Sequence, residues 1–225
     1  KKALASVLAQ TYHDFEVIVV DDGLRERAEH IVTSFSDPRI TYIQHDTERG
    51  GSAARNTGIR ASTGEFIAFL DDDDQWLSEK LKIQITQFET TPSDIGFCVS
   101  ALDIHYSDRI VLREVPEGVG DYSVFTLSNS KTFFTSTLIV KRTVFDTVGY
   151  FDEELPSHQE AELMIRITRQ FKGLGINQPL VFMNASSEFE HIGSDIGRAI
   201  RGREITLKKH EKIFKNRPEA LAQLY

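Results

Sequence analysis

The sequence is short of three things, and each shortage closes a route. It has one cysteine in 225 residues, Cys98, so no disulfide can form within the chain and a stapled secreted scaffold is excluded. Cys98 lies in the apolar run Ile95–Val99, where a thiol behaves as a small buried hydrophobe rather than a nucleophile. Positive charge is not in excess either: 26 Lys plus Arg face 34 Asp plus Glu, a formal net charge of −8. That balance argues against binding nucleic acid through phosphate neutralisation. Long apolar runs are missing too, with nothing near the roughly 20 residues of a membrane span. The amino terminus reads as an amphipathic helix and not as the apolar core of a signal peptide. These features fit a cytoplasmic location and predict one large domain, or a domain plus a small extension, with a core big enough to need no staples.

What the sequence does have is Phe66-Ile67-Ala68-Phe69-Leu70 running straight into Asp71-Asp72-Asp73-Asp74. The apolar run reads as a strand buried on both faces. Like charges about 5 Å apart repel by roughly 3 kcal/mol per pair at an effective dielectric near 20, so four adjacent carboxylates call for a positive partner. A divalent cation with oxygen ligands, Mg2+ or Mn2+, is the natural one. Ligands of open α/β sheets bind beyond the carboxyl ends of strands, which is where the acidic group falls. The plainer alternative is a solvated turn in which one Asp caps the following helix. An EF-hand loop is excluded, because its sixth and twelfth positions would be Trp76 and Lys82 where Gly and Glu are required.

Along the chain, strand-like and helix-like segments alternate at short spacing. Strands are expected over 16–20, 40–43, 66–70, 95–101, 135–140 and 180–183. Helices are expected over 1–10, 24–35, 51–61, 78–88, 142–148, 160–171 and 199–214. Such alternation predicts an α/β fold with a mostly parallel sheet. Residues 102–130 are irregular and polar, so antiparallel strands or loops are expected there, and 185–197 reads as a mobile loop.

Several motifs in series carry a resemblance. They are Ser6-Val7-Leu8-Ala9-Gln10-Thr11-Tyr12, Glu16-Val17-Ile18-Val19-Val20-Asp21-Asp22-Gly23, Gly51-Ser52-Ala53-Ala54-Arg55-Asn56-Thr57-Gly58, Phe69-Leu70-Asp71-Asp72-Asp73-Asp74 and Val148-Gly149-Tyr150-Phe151-Asp152-Glu153-Glu154-Leu155. Together with the helix around Glu160–Arg166, they resemble family 2 of the nucleotide-sugar glycosyltransferases, through about His191. The resemblance implies a type-A glycosyltransferase fold, Rossmann-like, with helices flanking the sheet and a smaller antiparallel acceptor-side portion. Residues 1–101 would form the nucleotide-sugar half, 102–197 the acceptor and catalytic half, and 198–225 a helical extension. Family members open with an apolar strand before the first helix; Lys1 falls inside that helix, so either a trimmed sequence or a compromised fragment is expected.

The resemblance also implies roles. Asp22 matches the aspartate facing the nucleotide base, and Arg55 and Asn56 the pair on the nucleotide side of the site. A helix amino terminus there already favours phosphate. Asp71 and Asp73 match the family's Asp-x-Asp pattern, with Asp71 and Asp72 on the donor side and Asp73 and Asp74 toward the metal. Arg166 would reach a phosphate or the acidic segment, and His191 would close over the donor diphosphate. The family's acceptor-activating Asp falls on Glu160, in Gln159-Glu160; a base must reach the proton it removes, and the longer side chain shifts the carboxylate by more than about 1 Å. The implied reaction is metal-dependent transfer, with inversion, from a nucleoside-diphosphate sugar, most simply a UDP-sugar, to a carbohydrate or glycolipid acceptor, as in polysaccharide assembly. The implied location is the inner face of a membrane, held peripherally. Two rivals stand beside it: a nucleotidyltransferase of similar fold, and a non-catalytic nucleotide- or sugar-binding module.

Overall fold

The computed structural model describes residues 1–23, 28–128, 133–185 and 196–216. In chain order the elements are α1 (Lys2–Leu8), β1 (Val17–Asp21), α2 (Glu29–Thr33), β2 (Ile40–Gln44), α3 (Gly51–Ala61), β3 (Phe66–Ala68), β4 (Asp74–Trp76), α4 (Lys80–Glu89) and β5 (Ile95–His105). They continue with β6 (Ile110–Arg113), β7 (Gly118–Gly120), α5 (Ser123–Ser128), a 3-10 turn (Thr135–Thr137), β8 (Leu138–Lys141), α6 (Arg142–Val148), α7 (Gln159–Thr168), β9 (Lys172–Asn184), α8 (Ile196–Lys209) and α9 (Glu211–Lys215).

The fold is α/β, and its larger sheet is mixed. Strands β1 and β2 form a parallel pair, Val17 opposite Ile40. The seven-stranded sheet runs β3-β8-β5-β9-β4, with β6 beside β5 and β7 beside β9. Within it β5 and β9 are parallel, while β3–β8, β5–β8, β4–β9, β5–β6 and β7–β9 are antiparallel. The irregular stretch after residue 101 thus supplies antiparallel strands, as its polar pattern allowed.

Alternation along β5 divides the core. Phe97 and Val99 point to one face, against Val144 and Phe145 of α6 and Leu163, Met164 and Ile167 of α7. Cys98, Leu102 and Ile104 point to the other, against Trp76 and Leu81, Ile85 and Phe88 of α4. With both faces covered, the strand is apolar from Ile95 to Val99 and again at Ala101, Leu102 and Ile104, and each large side chain buried contributes about 1.5–3 kcal/mol. Cys98 is buried as expected.

Strand β9 spans 172–184, well beyond the expected 180–183, because its glycines serve close packing. A Cβ on Gly173 would lie 2.2 Å from Cζ of Phe97, and one on Gly175 only 1.8 Å from the carbonyl oxygen of Pro116. Glycine inside a strand marks such an approach of ring or backbone. The pairing of β5 with β9 slips between Ser100 and Leu102, which lets Asn177 and Gln178 depart from the apolar pattern without breaking the strand.

The acidic segment also differs from a plain strand and turn. The strand ends at Ala68, Asp71–Asp73 form the turn, and Asp74 begins the edge strand β4 opposite Met183. The amide of Asp74 closes the turn on the carbonyl of Asp71 at 3.2 Å.

Candidate active site

The turn at 71–74 is shaped from below by Ser136, in the 3-10 turn before β8. Its hydroxyl accepts a hydrogen bond from the Asp71 amide at 3.1 Å and donates one to Oδ2 of Asp74 at 2.6 Å. Its carbonyl accepts from the Trp76 indole at 2.9 Å. Asp74 is only 2% exposed, and its Oδ1 has no partner among the described residues. Burial pushes its carboxyl up to about 7; the Ser136 bond opposes this, and Asp71, Asp73 and Asp72 add to it. The two expected metal ligands are therefore separated, with Asp73 exposed and Asp74 turned into the fold. Asp72 is exposed as well, and partial desolvation followed by Asp73 and Asp71 raises its pKa.

Among the described residues, no three Asp, Glu, His or Cys side chains form a ready cage for a metal. Outward-facing hard oxygen donors such as Asp73 suit a divalent cation whose other ligands are water and substrate phosphate. Asp74, buried and bonded to Ser136, does not suit that role.

Arg55, on the first turns of α3, joins this segment to α7. One guanidinium nitrogen donates to Oδ1 of Asp71 at 2.7 Å and another to Oε1 of Gln159 at 2.9 Å. The same group lies 5.6 Å from the Phe151 ring centroid. Burial works against its charge, but Asp71 outweighs that and raises the pKa of Arg55, with Glu160 adding to the effect. Glu160, in the first turn of α7, is raised by burial; its own amide and Arg55 pull it down, and Asp71 pushes it up. The chain enters α7 through His158 in the left-handed conformation, φ 57°, which turns Gln159 and Glu160 toward Arg55. Three of the expected residues, Arg55, Asp71 and Glu160, thus converge.

The others are placed differently. Asp22, just beyond β1, accepts from Nδ1 of His45 at 2.6 Å and from the amides of Arg49 and Gly50 at 2.9 and 2.6 Å. His45 is buried, and its Nε2 meets the hydroxyl of Thr57 at 2.9 Å. Burial would raise Asp22, but these bonds hold its carboxyl below the ordinary value. Asp22 therefore ties the turn before α3 to β1, and Gly50, at φ 87°, gives that turn its shape.

Asn56 is 1% exposed and faces inward. Its amide exchanges hydrogen bonds with the backbone of Phe151 at 2.9 Å in each direction and donates to Glu153 at 2.8 Å. It holds the 151–153 loop. Arg166 grips Glu162 with two nitrogens and donates to the carbonyls of Val148 and Tyr150, so its guanidinium is engaged by α7 and the 148–150 loop. His191 lies outside the described residues.

Sequence reasoning passed over three organising side chains. Ser136 and His45 give no periodic signal, since each is one polar residue in an ordinary segment. Glu162 had a faint one, Glu-x-x-x-Arg on a helix, the i,i+4 spacing of an ion pair. It is fully buried and meets Arg166 at 2.7 Å, Lys209 at 2.8 Å and His210 at 3.0 Å. Burial alone would raise its pKa; these bonds overcome that and hold it at about 2.

With this geometry in hand, the chain can be set against known proteins. The profile of glycosyl transferase family 2 matches residues 1–149, and the chain belongs to that family. WfgD of Escherichia coli, a UDP-Glc:alpha-D-GlcNAc-diphosphoundecaprenol beta-1,3-glucosyltransferase, is 37% identical over 109 residues, covering 48% of this chain and 42% of that protein. The fold is shared with TarS of S. aureus in complex with UDP-GlcNAc, at a TM-score of 0.71 and 21% identity over 85% of this chain and 56% of that one. It is shared also with the mannosyltransferase PcManGT of Pyrobaculum calidifontis in complex with GDP-Man and Mn2+, at 0.67 and 18% identity over 99% of this chain and 64% of that one. The chain spans about half the length of these proteins. Its type-A glycosyltransferase fold matches the expectation from the motifs.

Proposed function

We propose that this chain is the transferase domain of an inverting glycosyltransferase that takes a UDP-sugar as donor and a lipid-linked or free carbohydrate as acceptor. The observation that carries the proposal is the bridge made by Arg55. It draws the acidic turn at the end of β3 and the start of α7 into one cluster, a donor end and an acceptor end within one guanidinium's span. Family membership and a relative named for UDP-Glc and a diphosphoundecaprenol acceptor support the same reading.

In this proposal Glu160 takes the proton of the acceptor hydroxyl. The acceptor oxygen forms its bond to the sugar's C1 from the face opposite the nucleotide, the bond from C1 to the diphosphate oxygen breaks, and the configuration inverts. The raised pKa of Glu160 suits the task, since a base works best when its pKa approaches the working pH. Arg55 holds Asp71 and Gln159 in register, and Asn56 holds the loop beside them. Asp73, with Asp72 next to it, would hold Mg2+ or Mn2+, whose chemistry there is to neutralise charge on the departing diphosphate. Crystallisation of a neighbour with Mn2+ supports that choice. Residues 1–101 serve as the donor half and 102–197 as the acceptor half, working at the cytoplasmic face of a membrane.

The test is calorimetric titration of UDP and UDP-sugars with and without Mn2+, paired with transfer assays of Glu160→Gln. Manganese-dependent binding that survives the substitution, with transfer lost, is the expected result. Binding indifferent to manganese removes the metal, and transfer near the wild-type rate moves the base elsewhere.

A further inference from the structure

The charge of this chain is unevenly spread. Residues 196–216 carry seven Lys or Arg against two Glu, in a molecule whose total is −8. Helix α8 has a buried face, made by Gly202 and Thr206, and a long exposed one. Positions 200, 201, 204, 205 and 208 fall within one arc of about 140° at 3.6 residues per turn, and all five are exposed. Ile200 and Ile205 edge that arc, 51% and 37% exposed, and Ile196 extends it at 74%. Between the isoleucines stand Arg201 and Lys208, with Glu204 the single carboxylate, and Lys212 of α9 continues the basic side.

The helix is also fixed close to the proposed base. Gly202 packs so tightly on the residue two before α7 that a Cβ there would lie 2.4 Å from Oγ of Ser157 and 2.6 Å from its carbonyl oxygen. That Oγ donates to the carbonyl of Arg198 at 2.9 Å. On the inner side Lys209 pairs with Asp152 at 2.9 Å and with Glu162 at 2.8 Å. Helix α8 is therefore fixed through its buried face to the segment that leads into α7, and the exposed arc lies on its outer side.

We infer that the outer face of α8, with Lys212, is a docking surface for an anionic lipid bilayer. Exposed isoleucines beside Arg and Lys on one helix face are what interfacial binding requires: apolar side chains enter the headgroup region and basic ones meet lipid phosphates. The complement is specific in sign, because the rest of the molecule is acidic and would be repelled by the same surface. Given the transfer reaction proposed above, this face would hold the domain at the surface where an acceptor's lipid stays in the membrane.

The test is co-sedimentation of the 225-residue chain with vesicles of pure phosphatidylcholine and of phosphatidylcholine with 30–40% phosphatidylglycerol, an assay choice on the order of natural anionic content. Binding to the anionic vesicles, weakened as salt rises, is expected. Arg201→Gln and Lys208→Gln each weaken it about fivefold, the equivalent of about 1 kcal/mol per basic residue, and Ile200→Glu weakens it at least tenfold. UDP binding, measured on each variant, stays at the wild-type level, which reports an intact fold and keeps this test separate from that of the transfer reaction. Equal binding to both vesicle types, or none to either, overturns the assignment. So does a dimer in solution that Ile200→Glu splits without any change on vesicles, which would make the face a contact between copies of the chain.

Discussion

Arg55 and Asp71 meet at 2.7 Å, and the same guanidinium holds Gln159, so one side chain fixes the distance between two separate parts of the fold. The planar fork of Arg makes this possible, and an ammonium has no equivalent. Arg55→Lys keeps a charge near Asp71 but cannot serve both partners at once. Turnover is expected to fall on the order of 10²-fold, the cost of a misplacement near 1 Å, with a smaller change in donor affinity. Steady-state kinetics that show KM rising at unchanged kcat would contradict this role.

Asp73 and Asp74 are neighbours with opposite surroundings, and their substitutions should part company. Asp73→Ala abolishes metal-dependent binding of a nucleoside diphosphate while the fold is kept. Asp74→Asn retains it, because Asn keeps an acceptor for the Ser136 hydroxyl and carries no charge to bury. Calorimetry with UDP and manganese on both variants decides the point, and equal losses would return Asp74 to the metal site.

The pKa of Glu160 lies above that of an ordinary Glu because of burial. A base must be ionised to act, so the acid limb of kcat should fall at a pH above the roughly 4.3 of a free Glu. Glu160→Gln removes that limb together with transfer. A limb at the free-Glu value, in the wild type, would place the base in a better solvated position.

Glu162 contributes to stability with a defined pH sense. Its folded pKa, about 2, lies below the unfolded value near 4.3, so its contribution is full above that value and fades as pH falls toward 2. Glu162→Gln leaves Arg166, Lys209 and His210 facing one another without the anion, at a cost of about 3–5 kcal/mol. For a chain of this size Tm falls on the order of 10 °C. The gap between variant and wild type should narrow in denaturant titrations from pH 7 toward pH 3.

Lys80 points the other way. It is fully buried, its ammonium has no hydrogen-bond partner among the described residues, and it sits 4.3 Å from the centroid of the Trp76 ring. Burial lowers its pKa to about 7, against a small opposing pull from Cys98. Between about 7 and the unfolded value near 10.4 the unfolded chain binds the extra proton, so stability from this group climbs with pH across that range. Lys80→Met should stabilise the protein at pH 7 by about 1–3 kcal/mol and flatten the climb. Destabilisation at pH 7 would show that the amine has a partner in solution.

How much of this could be read from residues follows from where each constraint lies. Strand β1 was legible as an unbroken apolar run ending in carboxylates, helix α3 from the Gly50-Gly51 opening before it, and the acidic turn because four like charges are conspicuous anywhere. The length of β9 was hidden, since Gly173 and Gly175 look like loop residues until Phe97 and Pro116 are seen against them. Asp74 as the start of an edge strand was hidden by the same logic, as only its pairing with Met183 and the hydroxyl of Ser136 decides it. Arg166 and Asn56 were drawn toward the donor by motif alone. A motif fixes which residue is present but leaves open which way its side chain points.

Ser136 has a consequence for how the protein can be divided. The hydroxyl that shapes the acidic turn belongs to a segment more than 60 residues downstream of Asp71. A fragment ending near residue 101 would keep every aspartate of that turn and lose the group that gives it form. Residues 1–101 could not be grafted onto another scaffold with that turn in its present shape, so the two stretches are bound to evolve as one piece.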